Sequence, residues 1–261
     1  MHERTAEEAL AAAITVLGSE DFAPALERWL EAVLGQDNVT VVAYFNGRPP
    51  ADLYRHSPRP EVHENFEKTY VNGAYLLDPF HELHILRAPR GVYRLSEIAP
   101  DQFHRNRYFL DYYAATTLID ELAFLAYPAP GVSLHVCVGR DASSNIRFTS
   151  REIARARAVS PIVAALAERH WADLAAGGSQ SGVEVAAQLS ESLEAAHGVH
   201  LSRRQAEVAL LILQGHSSVS IGLRLGISPQ TVKVFRKQLY RKCAISSQAE
   251  LFTLMLPLLG G

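Results

Sequence analysis

LSRRQAEVALLILQGHSSVSIGLRLGISPQTVKVFRKQLYRKCAISSQAEL, residues 201–251, spaces capping residues, helix stops and basic residues as a helix-turn-helix requires. Ser202 and Gln205 form a capping box, in which the hydroxyl takes one orphan amide and the Gln side chain returns to the N–H of the cap. The helix that starts there carries Val208, Leu211 and Ile212 on one face and stops at Gly215, a residue suited to the left-handed conformation. Ser217 or Ser218 caps a short second helix, Ile221 and Leu225 point inward, and Gly226 ends it. After a three-residue turn Ser228 caps a third helix, with Pro229 in the first turn where its missing N–H costs nothing. Val232, Phe235 and Leu239 share one face of that helix, while Lys233, Arg236, Lys237 and Arg241 project from the others. A fourth helix opens on the Ser247 to Glu250 box and runs through Leu251, Leu254 and Leu256, as a packing or dimer helix would.

Charge sets this stretch apart from the rest. Residues 201–261 hold eight Lys and Arg against two Glu, a net +6, which leaves −9 elsewhere in a chain whose formal net charge is −3. A charge run is usually a solvated face. A basic module on an acidic chain instead fits nucleic-acid binding by one domain only.

The stretch resembles the DNA-binding domain of the LuxR family of bacterial regulators. The likeness rests on Leu201-Ser202, Arg204, Glu207-Val208, Gly215, Ser217, Ile221, Leu225, Ile227-Ser228, Thr231-Val232-Lys233, Arg236, Lys242, Ile245 and Glu250-Leu251. Gln205 stands where Glu is usual, Val219-Ser220 where Lys-Glu is usual, Phe235 for His and Cys243 for Leu, departures that bear on the operator sequence and not on the fold. The resemblance implies double-stranded operator DNA as partner, with Ser228, Gln230, Thr231, Lys233, Arg236, Lys237 and Arg241 as the DNA-binding candidates. A single short recognition helix contacts few bases, so a homodimer on paired half-sites is expected. Its candidate contacts are the fourth helix and Val183 to His197.

Upstream the reading is a ligand-sensing or dimerisation domain over residues 1–175, a linker with a short helix over 176–200, and the helix-turn-helix domain over 201–261. The boundary is placed in Ala176-Gly177-Gly178-Ser179-Gln180-Ser181-Gly182, where small flexible residues interrupt two helical patterns. Helical patterns occupy Ala6 to Leu17, Pro24 to Leu34, Glu61 to Val71 and Pro79 to Arg87; strands are expected over Val39 to Phe45, Val92 to Leu95, Leu122 to Tyr127 and Val132 to Val138. The last strand alternates Val132, Leu134, Val136 and Val138 with Ser133, His135 and Cys137, and Pro130-Gly131 before it marks a hairpin. Thr149 and Glu152 box the start of a long helix to about Leu174, with Phe148 and Ile153 at staple spacing and Pro161 expected to kink it. Val185, Leu189 and Leu193 stripe a helix ending near Gly198 that would link or dimerise the domains. The fold class is therefore an α+β N-terminal sensor domain, an antiparallel sheet covered by helices as in GAF- and PAS-like domains, plus an all-α four-helix C-terminal domain.

Other functions have little to stand on. A phosphorylated receiver needs an acidic cluster and a lysine at strand ends, whereas Lys68 is the only lysine before Lys233 and lies in a helical pattern. His81-Glu82-Leu83-His84 is one residue short of the spacing in H-E-x-x-H, so these histidines read as surface or hydrogen-bonded helix residues. No nucleophile elbow, phosphate-binding glycine loop or CxxC is present, so no catalytic residue, cofactor or metal is expected. Cys137 and Cys243 lack metal-type spacing and read as buried small hydrophobes. Glu7 and Glu8 break the early alanine run, and the apolar tail is shorter than the roughly 20 residues of a membrane span. A cytoplasmic location with no membrane contact is expected.

Sensing rests on Phe66, Tyr70, Asp78-Pro79 and Tyr93. Their order resembles the aromatic, aromatic, Asp-Pro, aromatic pattern by which LuxR-type autoinducer domains hold an acyl-homoserine lactone. In those domains aromatics meet the lactone head and the Asp accepts an amide N–H. Phe66 and Tyr93 stand where Trp is usual, and the gap from Tyr70 to Asp78 is one residue shorter, which points to a small molecule other than a standard lactone. Each residue also has a plain structural role open to it, the aromatics as core and Asp78 as the cap of a helix begun by Pro79. Tyr44, Tyr54, Tyr75, Asp120, Glu121 and His135 are additional candidates. The alternative is a DNA-binding regulator whose N-terminal domain only dimerises or binds a protein.

Overall fold

The computed structural model describes residues 5–46, 48–105, 107–175 and 182–258, so residues 176–181, on which the expected boundary falls, lie outside it. The chain divides into two compact units: Met1–Glu64, Arg87–Glu97 and Thr116–Gly178 form the first, and Asn65–Leu86, Ile98–Ala115 and Ser179–Gly261 the second. Residues 65–86 and 98–115 thus cluster with the C-terminal helices and not with the sheet that precedes and follows them in sequence.

The first unit is built on five antiparallel strands, β1 (Asn38–Phe45), β2 (Arg48–His56), β3 (Gly91–Arg94), β4 (Leu118–Ala126) and β5 (Val132–Asp141), in the order β2-β1-β5-β4-β3. Helices α1 (Ala6–Thr15), α2 (Phe22–Leu34) and α6 (Ser150–His170) belong with them. Alternation dictates the packing: Val39, Val41, Ala43 and Phe45 of β1 join Val132, Leu134, Val136 and Val138 of β5 in one apolar cluster with Phe22, Leu26, Trp29 and Leu30 of α2 and Ile153, Ala156 and Val163 of α6. Each fully buried Leu, Val or Phe there contributes about 1.5–3 kcal/mol. Ser133, His135 and Cys137 on the alternate positions are buried as well, so the central strand β5 is enclosed on both faces.

Local signals fix the ends of these elements. The Thr149 hydroxyl accepts from Glu152 N while the Glu152 carboxylate accepts from Thr149 N, and Phe148 and Ile153 are both buried beside that start. Helix α6 is continuous through Pro161. Gly131 turns the β4–β5 hairpin at φ +72, with Val132 N donating to Ala129 O at 3.1 Å. The sequence pattern missed β2, which opens on Arg48-Pro49-Pro50; proline cannot donate to a ladder and is tolerated here because β2 is an edge strand. Strand β4 begins before the expected Leu122 because its charged start is anchored: Arg94 of β3 donates to both oxygens of the buried Asp120, at 2.9 and 2.5 Å.

In the second unit, α3 (Pro79–Ile85) and α5 (Arg107–Asp111) join α7 (Gly182–His197), α8 (Arg203–Leu213), α9 (Ser218–Leu225), α10 (Pro229–Lys242) and α11 (Gln248–Met255); the short α4 (Leu95–Ile98) spans the division. The predicted helix over Glu61 to Val71 is instead a 3-10 turn at Pro60–Val62 followed by a π-helical turn at Phe66–Val71. A second 3-10 turn, Ala74–Leu77, follows Gly73, whose φ of +131 lies in a region that L side chains rarely adopt. The stripe Val185, Leu189 and Leu193 is buried within the chain, and α7 packs on α8, as Leu251, Phe252 and Met255 of α11 do in part. Cys137 is buried but Cys243 only half so, since α10 ends there and leaves it at the rim.

Candidate functional site

Three serines build the basic surface. Ser202 caps α8 with Gln205 in a reciprocal box, the Ser217 hydroxyl accepts from Ser220 N, and the Ser228 hydroxyl accepts from Thr231 N at 3.0 Å. Each satisfies an amide that water would otherwise have to reach. Gly226 ends α9 in the left-handed region at φ +64, and Gly222 lets that helix approach the turn closely: a Cβ on it would meet Ile227 O at 2.7 Å. Val232 and Leu239 of α10 are fully buried, whereas Phe235 and Leu225 are only half-buried. Anchoring α10 on Val232 and Leu239 turns Ser228, Gln230, Thr231, Lys233, Lys237 and Arg241 out as exposed side chains. Arg236 is half-buried, its Nε donating to the Tyr240 hydroxyl at 3.1 Å with the guanidinium 5.3 Å from the ring centroid.

Phe66, Tyr70 and Asp78 come together in the same unit. The Phe66 and Tyr70 rings stack at 4.8 Å, and the Tyr70 hydroxyl donates to Asp78 Oδ2 at 2.5 Å. Asp78 is also the cap of α3, its Oδ1 accepting from Phe80 N at 2.8 Å with Pro79 in the first turn. Burial pushes the Asp78 carboxyl up to about 6, against the opposing pull of these two hydrogen bonds. Tyr93 belongs to the sheet unit, where it lies on β3 and its hydroxyl donates to Pro89 O at 2.7 Å.

Sequence reasoning missed Tyr108 and Tyr112 in this aromatic cluster, which also takes in the candidate Tyr75. Tyr112 stacks on Tyr70 at 5.7 Å and on Tyr108 at 5.5 Å, and Tyr75 meets His81 edge-on at 5.0 Å. The signal was present in Tyr108-Phe109 and Tyr112-Tyr113, aromatic pairs at helical spacing. His81 and His84 are buried, not surface residues. Burial, with His84 beside it, lowers His81 to about 3 and keeps it neutral.

The additional candidates divide by unit. Tyr75 joins the cluster just described. In the sheet unit Tyr44 meets His135 edge-on at 4.7 Å, and His135 Nε2 lies 3.2 Å from the Ser133 hydroxyl. Tyr54 donates to Glu27, and Asp120 accepts from Arg94 and from Phe148 N, so both have structural partners. Glu121 N donates to Asp120 Oδ1.

The second unit also contains a cleft of about 450 Å³ lined by Leu76, Ile85, Leu86, Leu210, Leu211 and Leu225, with Glu82, Arg204, Glu207 and Arg224 among its polar members. The Arg204 guanidinium donates to Glu207 at 2.7 Å and to Leu225 O at 3.2 Å.

Comparison with known proteins adds the lineage. Residues 199–255 match the family described as bacterial regulatory proteins, luxR family. An HTH-type transcriptional regulator in the exeN 3′ region of Aeromonas salmonicida is 31% identical over 185 residues, which cover 69% of this chain and 93% of that protein. The VqsR LBD domain from Pseudomonas aeruginosa resembles the chain in fold, with a TM-score of 0.54 and 23% identity over 64% of this chain and 98% of that one. Escherichia coli SdiA matches at 15% identity over 98% of this chain and 93% of its own, with a TM-score of 0.38, too low to carry an argument.

Proposed function

The chain belongs to the luxR family of bacterial regulatory proteins, and from that membership we propose that it is a cytoplasmic, ligand-responsive transcription regulator that binds operator DNA through α10. The observation that carries the reading is the two-sided α10: Val232 and Leu239 are buried, while Lys233, Lys237 and Arg241 are exposed beside the capped Ser228-Pro229 start. Phosphate contacts from the cations supply affinity, and the side chains near the helix start, Gln230 and Thr231 among them, reach base edges. No described helix is long and apolar enough to cross a membrane. Two chains on paired half-sites complete the reading, which sedimentation of the protein–DNA complex tests by counting chains.

The test of the interface is a salt titration of binding. Lys233→Ala, Arg236→Ala and Lys237→Ala should each weaken binding and shallow the slope of log affinity against log salt by roughly 1 per lost phosphate contact. If all three variants keep both affinity and slope, the DNA face lies elsewhere.

For the sensor, the proposed ligand is a small molecule with an amine or amide N–H for Asp78 and an apolar part for Phe66 and Tyr70. A carboxylate has about four lone-pair sites, so two occupied by Tyr70 and Phe80 leave room for a further donor. Mass spectrometry of the chain purified from its own cells should find such a molecule. The same two contacts favour the second reading, an N-terminal region that only dimerises or binds a protein, because the cap and the tyrosine give Asp78 partners without any ligand. Purified chain that carries no small molecule supports that second reading.

A further inference from the structure

Two carboxylates of the second unit reach α9 from outside the helix-turn-helix. Asp101 Oδ1 accepts from Ser217 N at 3.1 Å, at the N-terminal end of α9. Glu82 of α3 pairs with Arg224 in the last turn of the same helix. Ser217 and Arg224 are seven residues apart, two helical turns, so the two contacts fall on one side of α9. Two further bonds hold the residues just before α9: Gln214 Nε2 donates to Leu76 O at 3.2 Å, and Gln102 N donates to Gly215 O at 3.2 Å. The segments that carry Leu76, Glu82 and Asp101 flank the aromatic cluster. Asp78, which Tyr70 contacts, caps the seven-residue helix α3 on which Glu82 sits one turn later.

The chemistry at the α9 start is that of an anion site already filled. Amides at a helix N-terminus face outward with the positive end of the macrodipole, and this is where DNA-binding proteins commonly receive a backbone phosphate. A carboxylate on Ser217 N takes that place. Against the upward push of partial burial, the Ser217 hydroxyl and amide hold the Asp101 carboxyl below its ordinary range, as expected for an anion that the helix end favours.

We propose that Asp101 and Glu82 form a two-point latch on α9, with Asp101 standing in for a DNA phosphate at the helix N-terminus, so that DNA binds only by displacing it. A ligand that draws on Asp78 acts on the first turn of α3 and is relayed to Arg224 through Glu82. This inference rests on the DNA-binding reading above and adds the competition that regulates it.

The test uses the full chain and a mixed-sequence 30-base-pair duplex, because phosphate competition needs no operator. Asp101→Ala and Glu82→Ala should each bind the duplex about threefold tighter than the parent, and the double variant about tenfold, given the small free energy of exposed ion pairs. Glu191→Ala removes the same charge from an exposed position on α7 and measures the general electrostatic gain. Latch variants that bind no tighter than Glu191→Ala overturn the proposal. Hydrogen exchange without DNA separates the two readings: Asp101→Ala should speed exchange at Ser217, and unchanged exchange there removes the latch whatever DNA does. If exchange speeds but no variant shows salt-dependent duplex binding, the DNA-binding reading fails, and the phosphate competition with it.

Discussion

Helices α8, α9 and α10 each begin on a serine whose hydroxyl accepts a backbone amide, and α9 ends on a left-handed glycine. Residues 65–86 reach α3 by another route, through a π-helical turn, a glycine at φ +131 and a 3-10 turn before Asp78 caps the helix. Both regions belong to one unit, yet only the first announces its turns in sequence. The difference is the range over which the determining interactions act. A cap and the amide it satisfies are three residues apart, whereas Phe66, Tyr70, Tyr75 and Tyr112 are held by one another across almost fifty positions. Local rules thus specify the helix-turn-helix, and tertiary packing specifies the aromatic element.

The largest expected effect probes that local element at its anchor. Leu239 of α10 is completely buried and Leu223, on the preceding helix α9, is 82% exposed. Leu239→Ala should cost about 2–5 kcal/mol from lost burial plus the cavity left behind, and Leu223→Ala should stay within about 0.5 kcal/mol. Urea unfolding of the two variants measures both. Equal losses would show that α9 is covered in solution and would erase the contrast between anchor and surface.

Next in size is the carboxylate that caps α3 in the second of these regions. Asp78 has a folded pKa of about 6 against an ordinary value of 3.8, so between these values the folded state binds more protons than the unfolded state. Stability therefore falls as pH rises through this window and levels off above it. Asn at this position does not titrate. Relative to Asp78→Asn, the parent should lose about 2 kcal/mol between pH 4 and pH 6.5, discounted from the full shift for the solvent that still reaches the side chain. Parallel pH profiles for the two proteins would mean that the charge is fully compensated by Tyr70 and Phe80. Asp78 would then be simply a cap, like the serines of α9 and α10.

How much was legible follows the same division. The capping boxes at Ser202 and Thr149, the glycine stops and the buried alternation of β5 are read directly, because each rests on neighbours in the chain. Strand β2 was not legible, because Pro49 and Pro50 argue locally against a strand, and only its edge position and the register irregularity between Ala43 and Phe45 of β1 accommodate them. The grouping of 65–86 with the C-terminal helices was not legible either. It depends on contacts such as Gln214 to Leu76 O, 138 residues apart, for which no local pattern exists. The contact among Phe66, Tyr70 and Asp78 was foreshadowed by their order in sequence, but Tyr108 and Tyr112 join their cluster only through ring stacking.

The smallest expected effect tests whether the local rules stand alone even where they read most clearly. Ser202→Ala removes the hydroxyl that accepts Gln205 N at 3.3 Å and should cost about 1 kcal/mol. Gln205, however, is more than half of a box. Its Oε1 accepts from Ser202 N and from Lys242 Nζ at 2.9 Å, and its Nε2 donates to Gln238 Oε1 at 3.1 Å, which ties the start of α8 to α10. Gln205 stays in place through Lys242 and Gln238 when Ser202 is truncated, so the loss should remain near that of a simple cap. If calorimetry instead gave Ser202→Ala a loss near that of Leu239→Ala, the cap would be holding the α8–α10 packing as well. The contrast between a locally written motif and a tertiary one would then dissolve at its clearest point.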